Sequence, residues 1–343
     1  MKQVYLHIGL HKTGTTYMQK VFTDNREKLR SLGVDYPELG AEYLLGHHNL
    51  AWSFIPNKPL INGENFSCDR FFEYIESCEC SKILISSEDF DFLQLAQIEK
   101  LRQRLAHFEV RIVVYIRQPL NALYSYWQEA VKHGDTTPFN DYCFQVLDQP
   151  TSLNYGQVLD RWSAKFGIDV LSIVVYDNLL EDNEDIALYC LQQVLAIDIS
   201  VHDVELPQSR INVATDIRQI ELIRQLNAIY KAENNTKTIP PVFWERLRQY
   251  FEKEGMEFTK KLDEFFSYET MDSPQYQPLY QHFQQVQEGV IGRYGDRVFN
   301  MMAENILFTE PSVQNYKIPL IDSDAIREVL DLEEVDYTKK IYL

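Results

Sequence analysis

Residues 3–19, "QVYLHIGLHKTGTTYMQ", decide the fold. "QVYLHIG" is an apolar run ended by Gly9, which reads as a buried strand. From Thr15 the period changes. Tyr17, Met18, Val21, Phe22 and Leu29 recur at three- and four-residue spacing, which predicts a helix from Thr15 to Leu32, stopped by Gly33. A strand that runs through a glycine-bounded loop into a helix makes a phosphate cradle. The first N–H groups of the helix have no internal partner, and its dipole is positive at that end. Gly14 lets the backbone curl close to an anion. Lys12 adds a mobile positive charge, and Thr15 and Thr16 offer hydroxyls and helix capping. One detail departs from the nucleotide loop G-x-x-x-x-G-K-[ST], whose lysine follows the second glycine: here Lys12 precedes Gly14.

The same alternation of strand and helix continues outward. "SKILISSEDF", residues 81–90, is a strand running out into polar residues. "VRIVVYIR", residues 110–117, and "VLSIVVYD", residues 170–177, are near-continuous apolar runs of the kind found at the centre of a parallel sheet. Amphipathic helices separate them, so the pattern predicts an α/β fold with a central parallel sheet in three layers, like that of P-loop NTPases. After about residue 205 the helical period takes over, and "TIPP" and "SPQYQP" punctuate it. The expected organisation is an α/β core over 1–205, a C-terminal helical subdomain over 206–311, and a surface-wrapping tail over 312–343.

Composition narrows the function. With 33 basic against 51 acidic residues the net charge is −18, which argues against a nucleic-acid binder. No run of 18 apolar residues predicts a membrane span, and the first residues read as a strand rather than a signal peptide. Five cysteines, an odd number, suit reduced thiols and a cytoplasmic protein. Cys78 and Cys80 in C-x-C spacing, with Cys68 upstream, lack a fourth ligand, so no metal site is expected.

A second anion feature lies a hundred residues after the first. Arg117 ends a central strand, and Ser125 follows eight residues later on the next helix. Ligands of doubly wound sheets bind beyond the carboxyl ends of the strands, and an arginine there suits bidentate phosphate contact. Together, "KTGTT" at residues 12–16 and Arg117 with Ser125 resemble the sulfotransferases that use 3′-phosphoadenosine-5′-phosphosulfate (PAPS). The resemblance covers residues 3–135. It implies that Lys12, Thr13, Gly14, Thr15 and Thr16 grip the 5′-phosphosulfate, that Arg117 and Ser125 grip the 3′-phosphate, and that 3′,5′-adenosine bisphosphate (PAP) is the product, with no metal. It also implies a late basic loop, for which "LPQSRINVAT", with Arg210 and Asn212, is the candidate.

Sulfuryl transfer to a hydroxyl needs a general base. The pair His47 and His48 in "LGHHNLAW" offers one, and Glu88 in "LISSEDF" is the rival. Three readings of Glu88 stand open: base, orienter of Lys12 or a histidine, or, with Asp89, the end of a magnesium-binding strand. His7 reads as a core residue. His11 and Trp52 are candidate acceptor contacts, and the acceptor is expected to be a glycan, glycolipid or small alcohol. The aromatic residues Tyr124, Tyr126, Trp127, Tyr276, Tyr280 and Phe283 line either a core or an acceptor site. Two other functions fit the loop: a P-loop kinase or nucleotidase using Mg-ATP, and a nucleotide-binding protein without catalysis.

Overall fold

A computed structural model describes residues 1–41, 45–61, 66–148, 153–207, 216–239, 267–270, 274–301, 308 and 317–320. In chain order its elements begin β1 (Gln3–His7), α1 (Thr15–Asp24), α2 (Arg26–Ser31), β2 (Val34–Asp35), α3 (His48–Ser53), α4 (Cys68–Ser77), β3 (Lys82–Ser86), α5 (Leu95–Arg104) and β4 (Glu109–Ile116). They continue with α6 (Pro119–Lys132), α7 (Phe139–Asp148), α8 (Tyr155–Phe166), β5 (Leu171–Val175), α9 (Tyr176–Glu181), α10 (Ile186–Tyr189), α11 (Ile217–Glu233), β6 (Ser267–Thr270), α12 (Gln277–Tyr294) and β7 (Lys317–Leu320). A single 3-10 turn, Glu88–Phe92, follows β3.

The five strands β1 to β5 form one parallel sheet in the order β2-β3-β1-β4-β5. β1 therefore sits at the centre. Leu6 is opposite Ile85 of β3 on one side and Ile112 of β4 on the other. Both faces of this sheet are covered, which explains strand sequences that are apolar throughout rather than alternating. The chain leaves β1 toward the β2 edge and β4 toward the β5 edge. Their carboxyl ends thus frame a switch point, where ligands of such sheets bind.

The helix expected to run unbroken from Thr15 to Leu32 is interrupted at Asn25, which is buried and has φ of −108° and ψ of 18°. Its backbone N–H still donates to the Val21 carbonyl at 3.2 Å, while its side chain donates to the Val21 and Glu205 carbonyls, at 2.8 and 2.9 Å, and accepts from the Glu205 N–H at 2.7 Å. The bonds to Glu205 hold the residue in this non-helical conformation.

β5 lies at the sheet edge and not at its centre, although all five of its residues are buried. Residues 298–300 cover it. Phe299 N–H donates to the Ile173 carbonyl, and the Asn300 side chain both accepts from Val175 N–H and donates to the Val175 carbonyl, at 2.7 and 2.8 Å. A carboxamide imitates the missing strand and blunts an edge that would otherwise invite pairing.

The chain divides into two compact units. One comprises Met1–Pro119, Thr151–Asn212 and Gln284–Thr309, and the other Leu120–Pro150, Val213–Phe283 and Glu310–Leu343. This division is discontinuous in sequence. The first unit holds the parallel sheet around a core that includes Val21, Phe22, Tyr36, Leu84, Val113 and Val174. In the second unit Trp127 is fully buried against Tyr124 and Phe139 and donates from Nε1 to the Thr137 carbonyl at 2.8 Å. Tyr276 stacks on Phe144 there. Trp127, Phe139 and Tyr276 are core. The second unit also contains an antiparallel pair, β6 with β7, in stretches assigned by sequence to the helical subdomain and the tail. The helix expected over residues 242–266 lies outside the described residues, as does most of the tail. All five cysteines are free, and among the described residues no helix is long and apolar enough to cross a membrane.

Replacing Asn300 by Ala removes both bonds to the β5 edge. It is expected to lower stability by about 2 kcal/mol, read as a lower urea midpoint at unchanged slope.

Candidate functional site

The loop between β1 and α1 is shaped by left-handed backbone. Gly9, Lys12 and Gly14 have φ of 89°, 67° and 79°. Gly14 is the N-cap of α1, and no side chain caps the helix, nor does an acidic residue occupy its first turn. The capping expected of Thr15 and Thr16 is therefore not made. Thr13 Oγ1 turns back instead and donates to the Leu10 carbonyl at 2.5 Å. The first N–H groups of a ten-residue helix are left to an outside acceptor, which fits an anion. A Cβ on Gly14 would lie 2.4 Å from Ile186 Cδ1 and 3.0 Å from Tyr176 Cε2, so the walls of the loop demand glycine.

Glycine is required at the other end as well. A Cβ on Gly9 would lie 2.8 Å from Glu88 Cα. The loop after β1 thus packs directly on the turn after β3, which carries Glu88, Asp89 and Asp91. Two histidines meet this turn. His48 sets Nδ1 2.7 Å from Asp89 Oδ2 and 3.0 Å from Ser87 Oγ, and its Nε2 lies 3.8 Å from Glu88 Oε2. His11 sets Nδ1 3.0 Å from Asp91 Oδ2 and Nε2 3.9 Å from Asp89 Oδ1. Glu88 is held from α1, where Gln19 Nε2 donates to its Oε2 at 2.9 Å. Trp52 lies one turn along α3 from His48, with ring centres 6.0 Å apart, and Lys58 Nζ sits 5.0 Å from the Trp52 ring centre.

His47, adjacent in sequence, has a different fate. It is fully buried. Its Nδ1 accepts from the Ser86 N–H at 3.1 Å, and its Nε2 lies 2.9 Å from the Pro37 carbonyl, to which it donates. Burial holds its pKa down to about 3. His7 is likewise buried, with Nδ1 2.8 Å from Ser86 Oγ, and burial holds it at about 4.

The exposed side of the turn behaves oppositely. Burial pulls His11 down, but hydrogen bonding to Asp91 and the charges of Asp91, Glu88 and Asp89 outweigh it and raise its pKa. Burial pushes Asp89 up, and His48 and His11 more than compensate, so its carboxyl titrates below the usual range. Asp91 is raised by burial, which His11 offsets in part. Among the described residues, no group of three or more such side chains is arranged to hold a metal ion.

Arg117, beyond the end of β4, donates from Nη1 to the Lys12 carbonyl at 2.9 Å. Its guanidinium lies 5.2 Å from the Tyr176 ring centre, and its Nε is 3.8 Å from Asp177 Oδ1. Asp177 is anchored by the Gln118 N–H. Arg117 therefore braces the loop that bears Lys12, a role its position in sequence does not reveal. Ser125 lies on α6, two turns on, in the stretch belonging to the second unit. Arg210 and Asn212 lie outside the described residues.

The structure thus gathers Lys12, Thr13, Gly14, Thr15, Thr16, His11, His48 and Glu88 where the loop into α1, the turn after β3 and the start of α3 meet, and it sets His47 apart in the core. Asp89 and Asp91 are the residues that sequence reasoning missed as partners of histidines. Their signal was the run "SSEDFD" after a strand, with carboxylates two apart.

No family model matches the chain, and no curated protein matches it in sequence. Among solved structures it is similar to the crystal structure of a sulfotransferase from Alicyclobacillus acidocaldarius, at 14% identity and a TM-score of 0.41, over 71% of this chain and 99% of that one. A likeness this distant leaves the activity to be argued from the site.

The buried histidines make a pH test. Each is neutral in the folded chain and takes up a proton on unfolding, so stability falls as pH drops from about 6.5 toward about 4. The slope is about 1.4 kcal/mol per pH unit for each. His11, raised rather than lowered, acts above that window. His47→Gln is expected to remove about 1.4 kcal/mol per pH unit from the slope of urea-unfolding free energies between pH 6.5 and 4.5. An unchanged slope would mean that His47 is already protonated when folded.

Proposed function

We propose that the chain is a sulfotransferase that moves a sulfuryl group from PAPS to the hydroxyl of an acceptor. The observation that carries this reading is the contact of two loops. An uncapped helix N-terminus preceded by Lys12 lies against a turn where a histidine is paired with a carboxylate. One loop suits an anionic donor, and the other suits removal of a proton from an alcohol.

In this reading the N–H groups at the start of α1, with the hydroxyls of Thr15 and Thr16, bind the 5′-phosphate. Lys12 neutralises charge as it develops on the oxygen between phosphorus and sulfur. When bound, the donor supplies a sulfuryl group whose bond to that oxygen breaks, leaving the electron pair on the phosphate of PAP. His48 Nε2 takes the acceptor proton while the acceptor oxygen forms its bond to sulfur. His47 is excluded from that role because both of its nitrogens are committed to the backbone. Glu88, 3.8 Å from Nε2, stabilises the imidazolium that results. Trp52, next along α3, offers an aromatic face to the acceptor, which we take to be a neutral carbohydrate, a lipid-linked sugar or a small alcohol. Arg117 and Ser125 are assigned to the 3′-phosphate.

Arg117 needs a test that separates its two roles, since loss of the brace on Lys12 would weaken any ligand of the loop. Calorimetric titration with PAP and with 5′-AMP, on wild type and Arg117→Ala, does so. A 3′-phosphate contact predicts tight metal-free PAP binding in wild type and at least a tenfold loss of the preference for PAP over 5′-AMP in the variant. Equal weakening of both ligands would limit Arg117 to bracing. Preference of wild type for Mg-ATP over PAP would overturn the sulfotransferase reading in favour of a kinase or nucleotidase.

A further inference from the structure

The turn after β3 contains an alternating chain of acid and imidazole groups. Asp91 Oδ2 meets His11 Nδ1, His11 Nε2 faces Asp89 Oδ1, Asp89 Oδ2 meets His48 Nδ1, and His48 Nε2 faces Glu88. Asp89 is its centre, with one oxygen toward each imidazole.

An ionised carboxylate only accepts hydrogen bonds. Asp89 is held in that form by His48 and His11 against its burial. At 2.7 Å from Asp89 Oδ2, His48 Nδ1 must therefore carry the proton of the neutral ring. Ser87 Oγ, at 3.0 Å, shares that N–H as a second acceptor. Its position is fixed because it also accepts from the Asp89 N–H at 3.2 Å. The lone pair of neutral His48 is then on Nε2, and no hydrogen bond joins that nitrogen to Glu88, 3.8 Å away.

We propose that Asp89 is a positioning residue: its carboxylate fixes the Nδ1–H tautomer of His48 and reserves Nε2 as the proton-accepting nitrogen. The tautomer follows from this geometry and the ionised form of Asp89. Its catalytic consequence rests on the sulfotransferase reading given above. In the neighbouring dyad Asp91 accepts from His11 Nδ1, and both nitrogens of that ring face carboxylates. Burial lowers the pKa of His11, but hydrogen bonding to Asp91 and the charges of Asp91, Glu88 and Asp89 outweigh it and raise it, which disfavours His11 as a competing base.

The test substitutes Asp89 by Asn, which preserves shape but can donate its amide N–H to Nδ1. The wrong tautomer then places the proton on Nε2, as in serine hydrolases when the orienting aspartate is so replaced. Long-range proton–nitrogen NMR of the histidine rings is recorded at alkaline pH, with His48→Gln assigning the resonance. Wild type is expected to show Nδ1–H at His48, and Asp89→Asn a majority of Nε2–H. Asp89→Glu should restore the wild-type tautomer at least in part, and serves as the reporter should Asp89→Asn fold poorly. Nε2–H in wild type, or Nδ1–H retained in Asp89→Asn, would overturn the proposal. Turnover is followed as PAP released from PAPS with glycerol or water as acceptor. Asp89→Asn is expected to lower kcat at least 100-fold with PAP affinity within twofold of wild type. A changed tautomer with unchanged kcat would overturn the catalytic part. Wild type that neither binds PAP nor turns over PAPS would sink the sulfotransferase reading, and the NMR outcome would still decide the role of Asp89.

Discussion

Ser86, the last residue of β3, is the buried junction on which the site depends. Its N–H donates to His47 Nδ1, its carbonyl accepts from the His47 N–H at 2.7 Å, and its hydroxyl meets His7 and Gln19. Four parts of the chain are thereby tied to one residue: β3, β1, α1 and the segment entering α3. Each bond is buried, so losing a partner would leave a desolvated polar group uncompensated. This makes the junction stiff and lets it hold loops that have little regular structure of their own.

The stiffness has a chemical consequence. Because His47 is consumed by the junction, its neighbour His48 starts α3 pointing elsewhere and meets Asp89. Two adjacent histidines end with opposite properties, one locked neutral in the core and one paired with a carboxylate. The same turn also meets His11 and the glycine that opens the anion loop. Local positive charge from Lys12 and local negative charge from Glu88, Asp89 and Asp91 are thus brought to neighbouring loops within a chain of net charge −18. Overall acidity says little about such a site, since the groups within a few ångströms set its field.

Much of the α/β core was legible. The strands, the loop from Gly9 to Gly14 and α8 follow from periodicity and glycine placement, because burial on both faces and a tight turn leave direct marks on residue type. The failures were those of long-range pairing. Asn25 interrupts a helix because Glu205, distant in sequence, holds it in a non-helical conformation. β5 looks central because it is buried, yet Asn300 and its neighbours bury it instead of another strand. The β6–β7 pair joins residues about fifty apart, with no local signal for either strand.

The sequence by itself determined the chemical inventory: a glycine-bounded loop carrying a lysine and two threonines before a helix, a strand ending in arginine, and two histidines and a glutamate as candidate bases. Tertiary structure alone decided which of those groups act together. Periodicity reports whether a position is buried, but the identity of a side chain's partner depends on strand order and on loops meeting at one sheet edge. The placement of β1 between β3 and β4 set Gly9 against Glu88, gave His47 to the backbone and gave His48 to Asp89.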